Sequence, residues 1–197
     1  MSDPADAANE ASESPTSGPS GAVALDPAAA ALLALAVERP WREISLRDVA
    51  QRAGLDLADL YGEARGKAAI LWRLSEALDV VALKTADTPS DDAHDRLFDA
   101  AMARLEAMEV HRGALVVISR EAPRLLVAAH IPATARAILE AAGVSATPPR
   151  VAAMALVWAR VAQVWRDDDG ALNRTMAELD KRLRQMRTNL ARVRAGF

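Results

Sequence analysis

Along the chain, apolar residues recur at three- and four-residue steps in segment after segment, the spacing of helices with one buried face. Asp26-Pro27 opens the first segment, with aspartate suited to an N-cap and proline to the first helical position. Leu32, Leu33, Leu35, Ala36 and Val37 carry it to a stop ahead of Pro40, because the residue before a proline avoids helical geometry. Trp41 and Ile44 follow as apolar anchors. Ser45, with Asp48 three residues on, predicts a capping box for a short helix whose apolar face is Leu46, Val49, Ala50 and Ala53. Gly54 supplies the turn, and Asp56 caps a second short helix carrying Leu57, Leu60 and Tyr61. Gly66 breaks that helix, and a longer one follows from about Lys67 to Lys84. Helix, tight glycine turn and second short helix make up the helix-turn-helix plan.

Beyond the linker TPSDD at 88–92, helix-length patterns continue. Leu97, Phe98, Ala101, Met102, Leu105 and Met108 mark one; Leu115 to Ile118, Leu125 to Val127, and Ile138 with Leu139 mark others. Pro123 and Pro132 each bend or end a helix. A further helix starts at TPPR (147–150), carries Val151, Met154, Leu156, Trp158, Val161 and Trp165, and ends in an acidic turn, Asp167-Asp168-Asp169-Gly170, read as solvated. The last runs from about Ala171 to Arg194, with Leu172, Met176, Leu179, Leu183, Met186, Leu190, Val193 and Phe197 at alternating steps of four and three, a heptad seam. No internal repeat and no convincing strand is seen, so the fold class is all-α.

Composition narrows the class. Alanine and leucine dominate a chain of 197 residues, 51% of them hydrophobic, which is enough to bury a real core. The absence of cysteine excludes disulfides and thiolate metal sites. Residues 1–24, rich in Ser, Pro, Gly, Ala and acid, lack the apolar surface to offset their ordering entropy and are expected to form a disordered tail. That start has no secretory pattern, and no apolar run reaches the roughly 20 residues that span a bilayer, so a cytoplasmic protein is expected. The net charge of -3 lends DNA binding no global support, although acids crowd the start and arginines the end.

Residues 26–84 resemble the DNA-binding domain of the TetR family of bacterial regulators, on ISLRDVAQRAGLDLADLY followed by GKAAIL. Ser45 matches the hydroxyl residue that opens the second helix, and Ala53 and Gly54 match the turn. Tyr61 and Lys67 match two phosphate contacts. The resemblance implies a TetR-like helix-turn-helix domain over 25–86 and a helical ligand-binding and dimerisation domain over 90–197. It implies double-stranded DNA as a partner, through Arg42, Ser45, Arg47, Asp56, Leu57, Asp59, Tyr61 and Lys67. Three positions depart from the pattern: Asp59 stands where a small hydroxyl residue is usual, Glu63 where histidine is common, and Ala64 where phenylalanine is usual. An acid can accept from cytosine N4 but repels phosphate, so binding that is weak or very selective is expected.

The stretch VWARVAQVWRDDDGALNRTMAELDKRL is similar to regulators whose ligand domain is related to the lipid-binding accessory proteins of coenzyme Q (ubiquinone) biosynthesis. Those share the TetR fold without binding DNA. Two functions therefore stand side by side. One is a ligand-responsive transcriptional regulator, a repressor. The other is a membrane-visiting lipid-binding accessory protein with a vestigial helix-turn-helix.

The expected ligand, an apolar small molecule or lipid, would meet Leu97, Met102, Leu105, Leu126, Ile138, Met154 and Trp158. A homodimer is expected through Val151, Val161, Trp165, Leu172 and Leu179. Trp158 and Trp165, seven apart, share one face, which reads either as packing or as a cavity wall. The last helix reads either as a packing helix or, with Arg187, Arg192 and Arg194 beside its seam, as a basic surface for peripheral membrane contact. His94, His111 and His130 lack metal-ligand spacing, and no catalytic constellation stands out; neither an enzyme nor a cofactor or metal site is expected.

Overall fold

The computed structural model describes residues 23, 25–87, 90–168 and 170–195, without the side chains of 192–195. The tail expected over 1–24 lies outside the described residues but for Val23, as do Thr88 and Pro89 of the linker.

The local signals start helices where the sequence places them. The Asp26 carboxylate accepts the Ala29 N–H at 2.8 Å and opens α1 (Pro27–Glu38). Trp41 and Ile44 are buried beside a short 3-10 turn, Trp41–Glu43. Ser45 and Asp48 close a complete capping box on α2 (Leu46–Ala53): Asp48 N–H donates to Ser45 Oγ at 3.1 Å, and Ser45 N–H to the Asp48 carboxylate at 2.8 Å. Gly54 ends α2 in the left-handed region, φ 67°, where a side chain would be strained. Asp56 then accepts from the Ala58 and Asp59 N–H groups to open α3 (Leu57–Glu63).

Seven further helices follow among the described residues, and no strand: α4 (Lys67–Leu83), α5 (Ala93–Glu109), α6 (Arg112–Glu121), α7 (Arg124–Ala129), α8 (Ile131–Ala141), α9 (Pro148–Arg166) and α10 (Asn173–Ala195). None of the helices in the described residues is long and apolar enough to cross a membrane. α1 packs on α2, α4 and α6. α4 runs from the helix-turn-helix into the body, where it packs on α5 and α8; α8 packs on α9, α9 on α10, and α10 returns to α5. One core threads these contacts, with Leu32, Leu60, Ile70, Leu105, Ile138 and Leu179 fully buried. Each such side chain contributes roughly 1.5–3 kcal/mol on burial.

The turn between α9 and α10 corrects one expectation. Asp167 is exposed, but Asp168 is buried and its carboxylate accepts both the Thr175 N–H (3.0 Å) and the Thr175 hydroxyl (2.7 Å). It satisfies an orphan donor in the first turn of α10, which a solvated acidic turn would leave to water. Asp169 lies outside the described residues.

Candidate functional site

Two features stand apart from simple packing: the outer surface of α2–α3 and a cavity in the helical body. On the first, the expected DNA-contact residues divide by role. Arg42, Arg47, Asp59 and Tyr61 are exposed, Tyr61 by 57%. Ser45 and Asp56 are exposed as residues, but their side-chain oxygens serve as helix caps. Leu57 is half-buried against the core. Neighbouring acids are largely paired within the chain: Glu38 with Arg52 (2.5 Å), Asp48 with Arg39 (3.3 Å), and Glu63 with Arg73 (3.1 Å). Arg73 also reaches Asp26 at 3.4 Å. Arg42 has only an exposed contact with Glu43, 3.6 Å away, which contributes little. Arg42, Arg47 and Arg65 are exposed cations on this segment, against an exposed Asp59 on α3 that has no ion pair among the described residues.

Lys67 is held differently from what the resemblance implies. Its Nζ donates to the Trp41 carbonyl and lies 4.3 Å from the centre of the Trp41 ring. Partial burial draws its pKa below the usual lysine value. The side chain ties the first turn of α4 to the 3-10 turn, and the Trp41 N–H in turn donates to Glu121 at the end of α6, at 2.7 Å. Lys67→Met should therefore lower folding stability by about 1–2 kcal/mol, from one charge-assisted hydrogen bond and one cation–π contact. It should leave the salt dependence of DNA binding unchanged. Thermal melts and a salt titration of binding check both; a slope flattened by about 1–2 units would put Lys67 on phosphate instead.

The cavity, about 240 Å³, lies among α4, α5, α6, α7, α8 and α9. Its walls are mostly apolar, including Leu71, Leu78, Ile118, Val127 and Trp158. Its floor is polar. The Arg104 side chain, on a residue only 4% exposed, donates from Nε to Asp79 at 2.6 Å and from Nη2 to Ser75 Oγ at 3.0 Å. Nη1 meets the Met108 sulfur at 2.9 Å, and the guanidinium stacks 4.8 Å from the Trp158 ring centre. Thr134 donates its hydroxyl to the same Asp79 oxygen at 3.0 Å. Burial works against the Arg104 charge, and the Asp79 carboxylate opposes that effect. His130 also lines the cavity. Its ring lies 4.8 Å from that of Trp72, and its Nε2 is buried without a hydrogen-bond partner among the described residues. Burial, reinforced by the Arg104 charge, lowers the His130 pKa and favours the neutral ring.

Of the residues expected to meet a ligand, the cavity includes Trp158. Met102, Leu105, Ile138 and Met154 are buried in the core, Leu126 is half-buried against it, and Leu97 lines a smaller pocket beside α10. The polar floor was missed by sequence reasoning. Its signal was available: Ser75, Asp79 and Arg104 are polar residues standing on the apolar faces of α4 and α5.

The expected dimer seam is also placed differently. Val161, Trp165 and Leu179 are at most 2% exposed within the single chain, so their side chains already have partners in its own core. Val151 and Leu172 are half-buried against that core. The side of α9 that faces outward carries Ala152 and Leu156, the latter 75% exposed. An apolar stripe reads alike in sequence whether it meets its own chain or a second copy. Here α9 uses it on α8 and α10.

No protein-family model matches the sequence, and no curated protein is similar to it. Solved structures are. A TetR transcriptional regulator from Rhodococcus sp. RHA1 aligns over 81% of this chain and 93% of its own, with a TM-score of 0.63 and 15% identity. The fold is the TetR fold. The dihydroxyacetone kinase operon activator DhaS aligns over 83% of this chain and 93% of its own, with a TM-score of 0.52 and 10% identity. At such identities the likeness is one of architecture. In this TetR fold, α4 lines the cavity and, through Arg73, pairs with Glu63 at the end of α3.

Proposed function

We propose that this chain is a ligand-responsive, DNA-binding transcriptional regulator, with residues 25–86 meeting DNA and residues 90–197 binding ligand and dimerising. The observation that carries the reading is the path from cavity to α2–α3 surface. Leu71, Leu74, Ser75 and Leu78 of α4 line the cavity, while Lys67, at the start of the same helix, grips Trp41. Ile118 of α6 also lines it, and Glu121, one turn on, holds the Trp41 N–H. A ligand that alters the fit of α4 against α6 would therefore act on Trp41, whose 3-10 turn leads directly into α2.

In a dimer, two copies of α3 would enter successive major grooves about 34–36 Å apart. The contact between copies would use the outward side of α9 around Leu156. The ligand-free form would occupy its operator and repress. A ligand with higher affinity for a second spacing would release it, and only that difference in affinity could do so. Arg42, Arg47, Arg65 and Tyr61 would meet phosphate, and Asp59 would face base edges.

Fluorescence anisotropy with the duplex upstream of the protein's own gene, beside a scrambled duplex, tests the reading. Two chains per site are expected, with affinity falling at least about tenfold between 50 and 200 mM salt. No salt-sensitive binding, together with flotation on anionic vesicles, would instead favour the lipid-binding accessory protein. The first half of α10 favours packing over a membrane surface. Arg182 and Arg184 are paired with Glu178 (2.7 Å) and Asp180 (3.0 Å), and Leu179 and Leu183 pack inward. Val193 and Phe197 of its seam lie outside the side chains described.

A further inference from the structure

The polar floor of the cavity restricts what the cavity can hold, an argument that rests on reading the cavity as the ligand site. A guanidinium has five N–H groups; Arg104 uses three, toward Asp79, Ser75 and the Met108 sulfur, which leaves two without a partner among the described residues. His130 Nε2 is a further buried nitrogen without a partner among the described residues. The unmatched groups at this floor are therefore donors, or a ring nitrogen able to become one by a change of tautomer, and an occupant must bring an acceptor.

Charge decides which acceptor. The Arg104 cation is already matched by Asp79 at 2.6 Å. A ligand carboxylate would place a second anion on the same buried guanidinium, where an uncompensated charge is costly. His130 adds little counter-charge, since its burial and the Arg104 charge both disfavour the protonated ring. Arg166, the other cation of the lining, is about a third exposed and lies 3.7 Å from Asp167. An uncharged oxygen meets the donors without that cost.

Volume and walls set the rest. A cavity near 150 Å³ admits benzene, so about 240 Å³ suits a molecule of roughly ten non-hydrogen atoms. Leu71, Leu78, Ile118, Val127 and the Trp158 ring make its surroundings apolar.

We propose that the cavity binds a small, uncharged, mainly apolar molecule bearing one carbonyl oxygen, which accepts from Arg104 and from His130 Nε2–H. The apolar part lies along Trp158 and the α4 leucines. The carbonyl selects the Nε2–H tautomer of His130.

Calorimetric titration of the full chain with acetophenone, benzoate and cumene separates the chemistries, because the three share a ring and nearly the same size. Acetophenone should bind at least tenfold more tightly than either of the others. His130→Phe should cut the preference for acetophenone over cumene about tenfold, and the paired change Asp79→Leu with Arg104→Met should abolish it. Benzoate binding most tightly, cumene equalling acetophenone, or no binding by any of the three would overturn the proposal. Salt-sensitive DNA binding is measured on the same ligand-free preparation. If it is present while acetophenone fails, the regulator reading stands and the ligand class falls. If acetophenone binds and DNA does not, the cavity assignment stands and the regulator reading falls.

Discussion

Asp79→Leu should lower folding stability by about 3–5 kcal/mol, because it leaves the buried Arg104 cation without its counter-ion. That is a large share of the 5–15 kcal/mol that typically holds a domain folded. The loss would come from the stranded charge rather than from the missing carboxylate contacts alone. Combining Asp79→Leu with Arg104→Met should therefore recover most of it, to within about 1–2 kcal/mol of the parent, since apolar replacements of a buried ion pair are often neutral or better. Urea denaturation of the three proteins at one chain concentration measures both steps. A single variant that loses less than about 1 kcal/mol would mean that water reaches Arg104 and solvates its charge.

Asp59→Lys should tighten binding to random-sequence DNA by on the order of tenfold at low salt. It should also steepen the logarithmic salt dependence by about 1–2 units for a dimer, one added phosphate contact per chain. Asp59 is exposed on α3 without a pairing cation among the described residues, so its charge opposes phosphate directly. Asp59→Asn separates repulsion from contact: affinity should rise, with a smaller change in slope. Anisotropy titrations from about 50 to 200 mM salt read both quantities. If neither variant departs from the parent, α3 does not approach the DNA backbone, and the surface assigned to DNA is the wrong one.

The contrast between these two sites shows what was legible in the sequence. Asp59 was visible because the helix-turn-helix is written locally. Asp26, Ser45 with Asp48, Gly54 and Asp56 each act within about four residues of themselves, on groups whose positions the backbone dictates. The heptad seam of α10 was visible for the same reason, and Leu179 and Leu183 are buried where it places them. Its partner was not visible, because apolar side chains have no directional preference for one neighbour over another.

The sequence by itself determined an all-helical chain, most of its helix starts and the glycine turn between α2 and α3, because propensity, capping and turn geometry are short-range. Tertiary structure decided everything that depends on residues far apart in the chain. It brought Arg104 to Asp79, 25 residues away, and to Ser75, 29 away, turning polar residues on apolar faces into a cavity floor with an ion pair behind it. It folded Lys67 back onto Trp41 and linked Trp41 to Glu121, 80 residues on. It also placed Val161 and Trp165 in the core of their own chain. Hydrophobic spacing states that a face must leave water; only packing states whether it does so against a neighbouring helix, a ligand or a second copy.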